Sequence, residues 1–316
     1  MPAKTAIAAA LLGALASAGL AACADDDATE SGSPGTDGPA GDAPTGDATD
    51  DADPDDAVPE RIVSLSPTAT EILFAIGAGE QVVAVDDQSD FPADVPVTDL
   101  SGFEPNLEAI IDFEPDLVVA SGLPDDIITG LEAVDAEVLV HESAVVLDDT
   151  YDQIAQLGIT TGHEDEAADL VAEMRADIDE LVASVPDRDE APTYFHELSD
   201  TLFSATSETF IGELYDLAGL ENVADAADAD GEFGGYPQLS AEVLVAADPD
   251  FVFLADTECC GQDAATFAAR PGFGDLTAVR DGRVVELSDD IASRWGPRVV
   301  DQLRTIVEAT AEVPVG

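Results

Sequence analysis

The stretch EILFAIGAGEQV, residues 71–82, lays without gaps on GELYDLAGLENV, residues 212–223, matching Leu73 to Leu214, Phe74 to Tyr215, Ile76 to Leu217, Glu80 to Glu221 and Val82 to Val223. A second pair follows each of these. NLEAIIDFEPDLVVAS (106–121) parallels SAEVLVAADPDFVFLAD (240–256), and Glu108 and Glu242 each stand seven residues before the Pro of a Pro-Asp-strand unit, Pro115 and Pro249. The same phrases in the same order predict two lobes of one design.

Around these phrases, apolar runs of strand length alternate with helical patterns. RIVSLS (61–66), QVVAVD (81–86), PDLVVAS (115–121) and AEVLVHES (136–143) in the first half, and TYFHELS (193–199), DFVFLAD (250–256) and RVVELSD (283–289) in the second, lack polar alternation. Strands of that kind belong to parallel sheets covered on both faces. Thr68-Ala-Thr-Glu71 fits a capping box that opens a helix, and Gly77 and Gly79 supply its stop. Between the halves runs HEDEAADLVAEMRADIDELVASVP (163–186), with Leu170, Val171, Met174, Ile178, Leu181 and Val182 on one face and Pro186 at its end. The expected fold is α/β: two Rossmann-like lobes with parallel sheets, at 59–160 and 188–316, joined by a single long bridging helix at 161–187.

Residues 1–22 carry one Lys, no acid and an Ala/Leu run too short for a membrane span, which fits a secretory signal. The run ends in Leu20-Ala21-Ala22-Cys23, which resembles a bacterial lipobox; an ordinary cleaved signal with an incidental Cys is the other reading. Lipidated at Cys23, the chain would be exported and held at the outer face of the cytoplasmic membrane with no spanning helix. Residues 23–58 are expected to form an acidic, disordered tether, because 24–58 hold eleven Asp, one Glu and five Gly but no Lys or Arg.

From Cys23 onward, 69 acids face nine Arg and no Lys, a net charge of −60, and −48 remains once the tether's twelve acids are removed. Such a charge makes nucleic acid and anionic membrane surfaces poor partners. It suits either a salty medium, where screening is short-ranged, or a preference for cationic ligands.

The phrases RIVSLSPTATEILFAIGAGEQVVAVDD (61–87), NLEAIIDFEPDLVVAS (106–121), PQLSAEVLVAADPDFVFLAD (237–256) and IASRWGPRVV (291–300) make the chain resemble the helix-bridged (class III) substrate-binding proteins of ABC importers, which capture ferric siderophores, haem and vitamin B12. The resemblance implies a monomer with no resident cofactor, a shallow cleft that holds a small-molecule metal chelate unchanged, and delivery to a permease dimer with its ATPase. It also implies that Glu108 and Glu242 dock on permease Arg residues.

For the ligand, the carboxyl ends of the strands are the place to look in an open α/β sheet. They supply Ser66-Pro67-Thr68, Asp87-Gln88, Ser121-Gly122, His141-Glu142, His196-Glu197, Asp256-Thr257 and Asp289-Asp290. An Arg in the SRWGPR loop (293–298) touches the ligand in the vitamin B12-binding relative, and Arg294 is its match; Trp295, the only Trp, stands beside it. Guanidinium and indole planes suit anionic, ring-bearing ligands. Arg298 either joins them or pairs with a neighbouring Asp. Thr68, Tyr236, Phe203, His196 and Glu197 complete the expected contacts. His141 and His196, one per lobe, could face each other across the cleft, but no spacing marks a preformed metal site and none is expected.

Adjacent Cys259 and Cys260 in an exported chain suggest a vicinal disulfide. No Gly-x-Ser-x-Gly elbow, Walker sequence or dinucleotide fingerprint is present, so catalysis is not expected. An extracellular sensor or carrier of the same fold, uncoupled from import, is the alternative.

Overall fold

The computed structural model describes residues 58–311; the signal peptide, Cys23 and the tether up to residue 57 lie outside them. The first lobe runs β1 (Ile62–Leu65), α1 (Pro67–Ala75), β2 (Val82–Asp86), β3 (Val97–Leu100), α2 (Leu107–Ile111), β4 (Leu117–Ala120), α3 (Asp125–Glu132), β5 (Glu137–Val140) and α4 (Leu147–Thr161). Helix α5 (Glu164–Ser184) leads to the second: β6 (Thr193–Glu197), α6 (Phe210–Leu217), β7 (Glu221–Asn222), α7 (Ala241–Ala247), β8 (Phe251–Leu254), α8 (Thr257–Cys260), α9 (Ala264–Ala268), α10 (Thr277–Arg280), β9 (Val284–Glu286), α11 (Asp289–Ala292) and α12 (Val299–Ala311).

Both sheets are parallel throughout, in the orders β3-β2-β1-β4-β5 and β7-β6-β8-β9. The second order repeats the first without its outermost strand, so the sequence repeat is a repeat of topology. Helices α2 and α7 start on Asn106 and Ser240, and β4 and β8 follow ten residues after the helix starts in both lobes. At α1 and α6 the halves slip by one residue: left-handed Gly77 (φ 90°) ends α1, while Gly219 (φ 71°), which ends α6, aligns with Ala78.

The expected capping box at Thr68–Glu71 does not form. Helix α1 starts at Pro67, whose fixed φ suits the first helical position, and Ser66 caps it by accepting from the Ala69 N–H. Gly77 alone stops the helix, because Gly79 lies inside a 3-10 turn at Ala78–Gln81. Strand reading also missed β3 and β7, an exposed polar edge strand and a two-residue one, neither of which has an apolar run to announce it.

Helix α5 carries Glu164, Asp165 and Glu166 in its first turn, where the helix dipole favours anions, and ends before Pro186. Its 21 residues span about 30 Å at 1.5 Å each. Met174, Ile178 and Leu181 of α5 pack into a single cluster with Ile62 and Val85 of the first sheet, Tyr194 and Phe253 of the second, and Leu303 and Ile306 of α12. The inner faces of both sheets therefore share one core across the bridge. Their outer faces close separate clusters, one around Val63, Ile110 and Val118, the other around Phe195, Val252 and Phe267. Among the described residues no helix is long and apolar enough to cross a membrane.

Candidate ligand cleft

The carboxyl ends of β1, β2 and β4 open onto a cavity of about 400 Å³, and the loop from α11 to α12 of the second lobe closes its other side. From the first lobe come Ser66, Thr68, Asp86, Gln88, Ser121 and Ser143; from the second come Asp290, Ser293, Arg294 and Trp295. Ser66 Oγ and Ser121 Oγ share a hydrogen bond of 2.6 Å. Asp86 ends β2, buried, and desolvation raises its carboxyl above the ordinary range against the bonds from Ser89 and Gln88. Gly102 fits beside it because a Cβ there would meet Leu65 O at 2.5 Å and Asp86 Oδ2 at 2.9 Å. Phe103, 87 % exposed, stands at the rim.

Arg294 reaches the cavity with its charge already engaged. Its Nη1 donates to Glu71 Oε1 and to Asp90 Oδ1, both at 3.0 Å. Its Nη2 donates to the Gln88 carbonyl at 3.0 Å and to Asp290 Oδ1 at 2.8 Å. Arg298 adds Nε to Glu71 Oε2 at 3.0 Å and Nη2 to Glu71 Oε1, and its guanidinium lies 4.2 Å from the centre of the Phe91 ring. Glu71, on α1, is thus a buried carboxylate held by two cations from the other lobe. Burial alone would raise Asp90, but the Arg294 bond and charge outweigh it and hold that carboxyl low; burial raises Asp290 despite Arg294. Arg294 lines the cavity, but its guanidinium is taken up by an inter-lobe ion cluster. Of the two readings for Arg298, ligand contact is the one corrected, since it pairs with an acid, Glu71 rather than a neighbouring Asp, and does not line the cavity.

Trp295 is half-buried, its Nε1 donating to Gln153 of α4 at 2.9 Å, and its indole lines the cavity. Thr68 lines it too. The remaining expected contacts lie elsewhere. His196 is fully enclosed, with Nδ1 2.8 Å from the Tyr215 hydroxyl, and burial lowers its pKa to about 4; the strand alternation that puts it on the inner face carries it into the shared core. Glu197 points to the opposite face, where Arg270 holds it with bonds of 2.7 and 2.6 Å; burial pushes its pKa up to about 7 against that pairing. Tyr236 and Phe203 are partly exposed on loops of the second lobe and do not line the cavity.

His141 and His196 do not meet, since His141 is buried in the first lobe against Gln156. Cys259 and Cys260 pair as a disulfide at the end of α8, whose first N–H groups, from Thr257 to Cys259, are gathered by the Asp289 carboxylate. Glu108 and Glu242 are exposed, each the second residue of its helix, after caps in which Asn106 accepts from Ala109 N and Ser240 accepts from Val243 N.

Sequence reasoning missed Asp86, Phe103, Ser143 and Ser293. Asp86 was within reach as the last residue of a legible strand; Phe103 follows the unrecognised β3. Nothing local announces the Glu71–Arg294 pair, 223 residues apart.

The sequence matches the family described as periplasmic binding protein over residues 62–291, a span that stops just short of Arg294. A cobalamin-binding protein of Halobacterium salinarum is 31 % identical over 261 residues, 79 % of this chain and 69 % of the relative. An uncharacterized ABC transporter substrate-binding lipoprotein of Bacillus subtilis, YvrC, is 29 % identical over 259 residues, 79 % of each chain. The solved periplasmic heme-binding protein RhuT of Roseiflexus superposes with a TM-score of 0.68 at 26 % identity, covering 80 % of this chain and 99 % of that one.

Proposed function

The chain belongs to the periplasmic binding protein family, a family of binding proteins rather than enzymes, and on that premise we propose that it is the extracytoplasmic capture subunit of an ABC importer. In this reading it is a lipoprotein anchored through Cys23 that takes up a metal chelate of the siderophore, haem or cobalamin kind. It then hands that chelate to a permease dimer with its ATPase.

The observation that carries the reading is a solvent-open cavity at the carboxyl ends of the first lobe's strands, closed from the second lobe by the Arg294–Trp295 loop. Its lining of hydroxyls, carboxylates and one indole can hold a large polar ligand by hydrogen bonds and stacking. Because one core runs through α5 into both lobes, capture relies on a preformed cleft rather than on a wide hinge motion. Glu108 and Glu242, at equivalent helix positions on the two lobes, offer a two-point, charge-assisted dock to a two-fold partner.

Reversing both charges, Glu108→Arg with Glu242→Arg, tests the coupling. Uptake by cells carrying the variant is expected to fall at least about tenfold, by the loss of two charge-assisted contacts, while ligand binding by the purified protein is retained. Unchanged uptake refutes the importer role.

A further inference from the structure

We infer that the cleft selects a metal chelate that carries no net negative charge and whose rim offers N–H donors; this rests on the chelate-capture reading and narrows it. Among the described residues, Arg294 is the sole Lys or Arg lining the cavity. Four of its donors are taken, by Glu71, Asp90, Asp290 and the Gln88 carbonyl. An anionic ligand would meet a guanidinium with four of its five N–H donors engaged and its charge already offset by Glu71, Asp90 and Asp290.

The local balance is negative. Arg294 and Arg298 face Glu71, Asp90, Asp290 and Asp86, two cations against four carboxylates. Asp86 has no cationic partner among the described residues, and one of its oxygens lies against Gly102 on the cavity wall. Carboxyl oxygens accept hydrogen bonds, so Asp86 and Asp290 ask for donors from whatever enters. The serines and Thr68 of the wall adapt to either role, and Phe103 with Trp295 provides aromatic faces for the apolar part of a chelate. Peripheral amides or ammonium groups satisfy this wall; propionates and catecholate oxygens are repelled by it, at about tenfold in affinity for each ligand charge close to a carboxylate.

The test titrates the purified full chain with cyanocobalamin (uncharged, amide-rimmed), ferrioxamine B (cationic), haemin (two propionates) and a ferric tris-catecholate. The readouts are calorimetry and the fluorescence of Trp295, the only tryptophan in the chain and a cavity residue. The expected result is binding of cyanocobalamin or ferrioxamine B at least about 100-fold tighter than of either anion, the sum of about two charge penalties. Replacing the wall carboxylates, Asp86→Asn with Asp290→Asn, should narrow that preference at least about tenfold. An anion that binds tightest, or a preference that the double variant leaves unmoved, overturns the charge selection while leaving chelate capture standing. Failure of all four probes to bind the unaltered chain instead refutes chelate capture, and the charge selection falls with it.

Discussion

Glu71→Gln is the substitution from which the structure predicts most. The carboxylate is 2 % exposed and takes bonds from both Arg294 and Arg298, which belong to the other lobe. Removing one partner of a buried ion pair costs about 3–5 kcal/mol, mostly through the charge left behind. Arg294 keeps Asp90 and Asp290, so its share of the loss is small. Arg298 keeps its contact with the Phe91 ring, the nearby charges of Asp290 and Asp90 and a partial exposure of 18 %, but no bonded carboxylate, so most of the loss arises there. The lower end, about 3 kcal/mol, is therefore expected, a fall of about 6–12 °C in melting temperature for a folded unit of this size. Urea unfolding in about 1 M salt, where the Debye length is about 3 Å and surface repulsion is screened, isolates the buried term. A cycle with Arg298→Met should return a coupling of about 2 kcal/mol. A loss below about 1 kcal/mol, or additivity in the cycle, would refute the reasoning that this cluster holds the lobes together.

His196 predicts a pH dependence with a definite sign. Its folded pKa of about 4 lies below the ordinary 6.5, so as pH falls the unfolded chain takes up the proton first and stability is lost between about pH 6.5 and 4. Measured against His196→Phe, which shares every other titrating group including Glu197, the wild type should lose up to about 3 kcal/mol over that window. Parallel profiles would place the imidazole in water. Gly102→Ala should destabilise by about 1–3 kcal/mol, because the new methyl meets a backbone carbonyl that cannot step aside. Gly122→Ala, in open space on the same cavity wall, is the matched control and should be close to neutral in the same unfolding assay.

Much of this molecule was legible in the chain. The unbroken apolar runs fixed parallel strands, since a strand covered on both faces has no polar side to alternate. The amphipathic 163–186 stretch fixed the bridge, and the repeated phrases fixed two lobes of matching strand order. The strand-end rule placed Ser66, Thr68, Gln88, Ser121 and Asp290 on the cavity wall, because the carboxyl end of a strand is a position along the chain and needs no knowledge of distant partners.

The roles of charged residues were a different matter. Glu71 looked like half of a capping box because its spacing from Thr68 was right; Ser66 took the cap, and Glu71 turned inward to meet Arg294 and Arg298. Arg294 looked free for a ligand, and Arg298 was open between a ligand and a neighbouring Asp, because nothing in 293–298 hints that α1 passes within hydrogen-bonding distance. His196 and Glu197 both follow the strand-end rule, yet their side chains point to opposite faces, one into the shared core and one onto Arg270. Local pattern determines secondary structure because backbone geometry and burial repeat over a few residues. Whether a charge is offered to solvent or spent on another charge is decided by packing between segments some 220 residues apart, and only the folded chain brings them together.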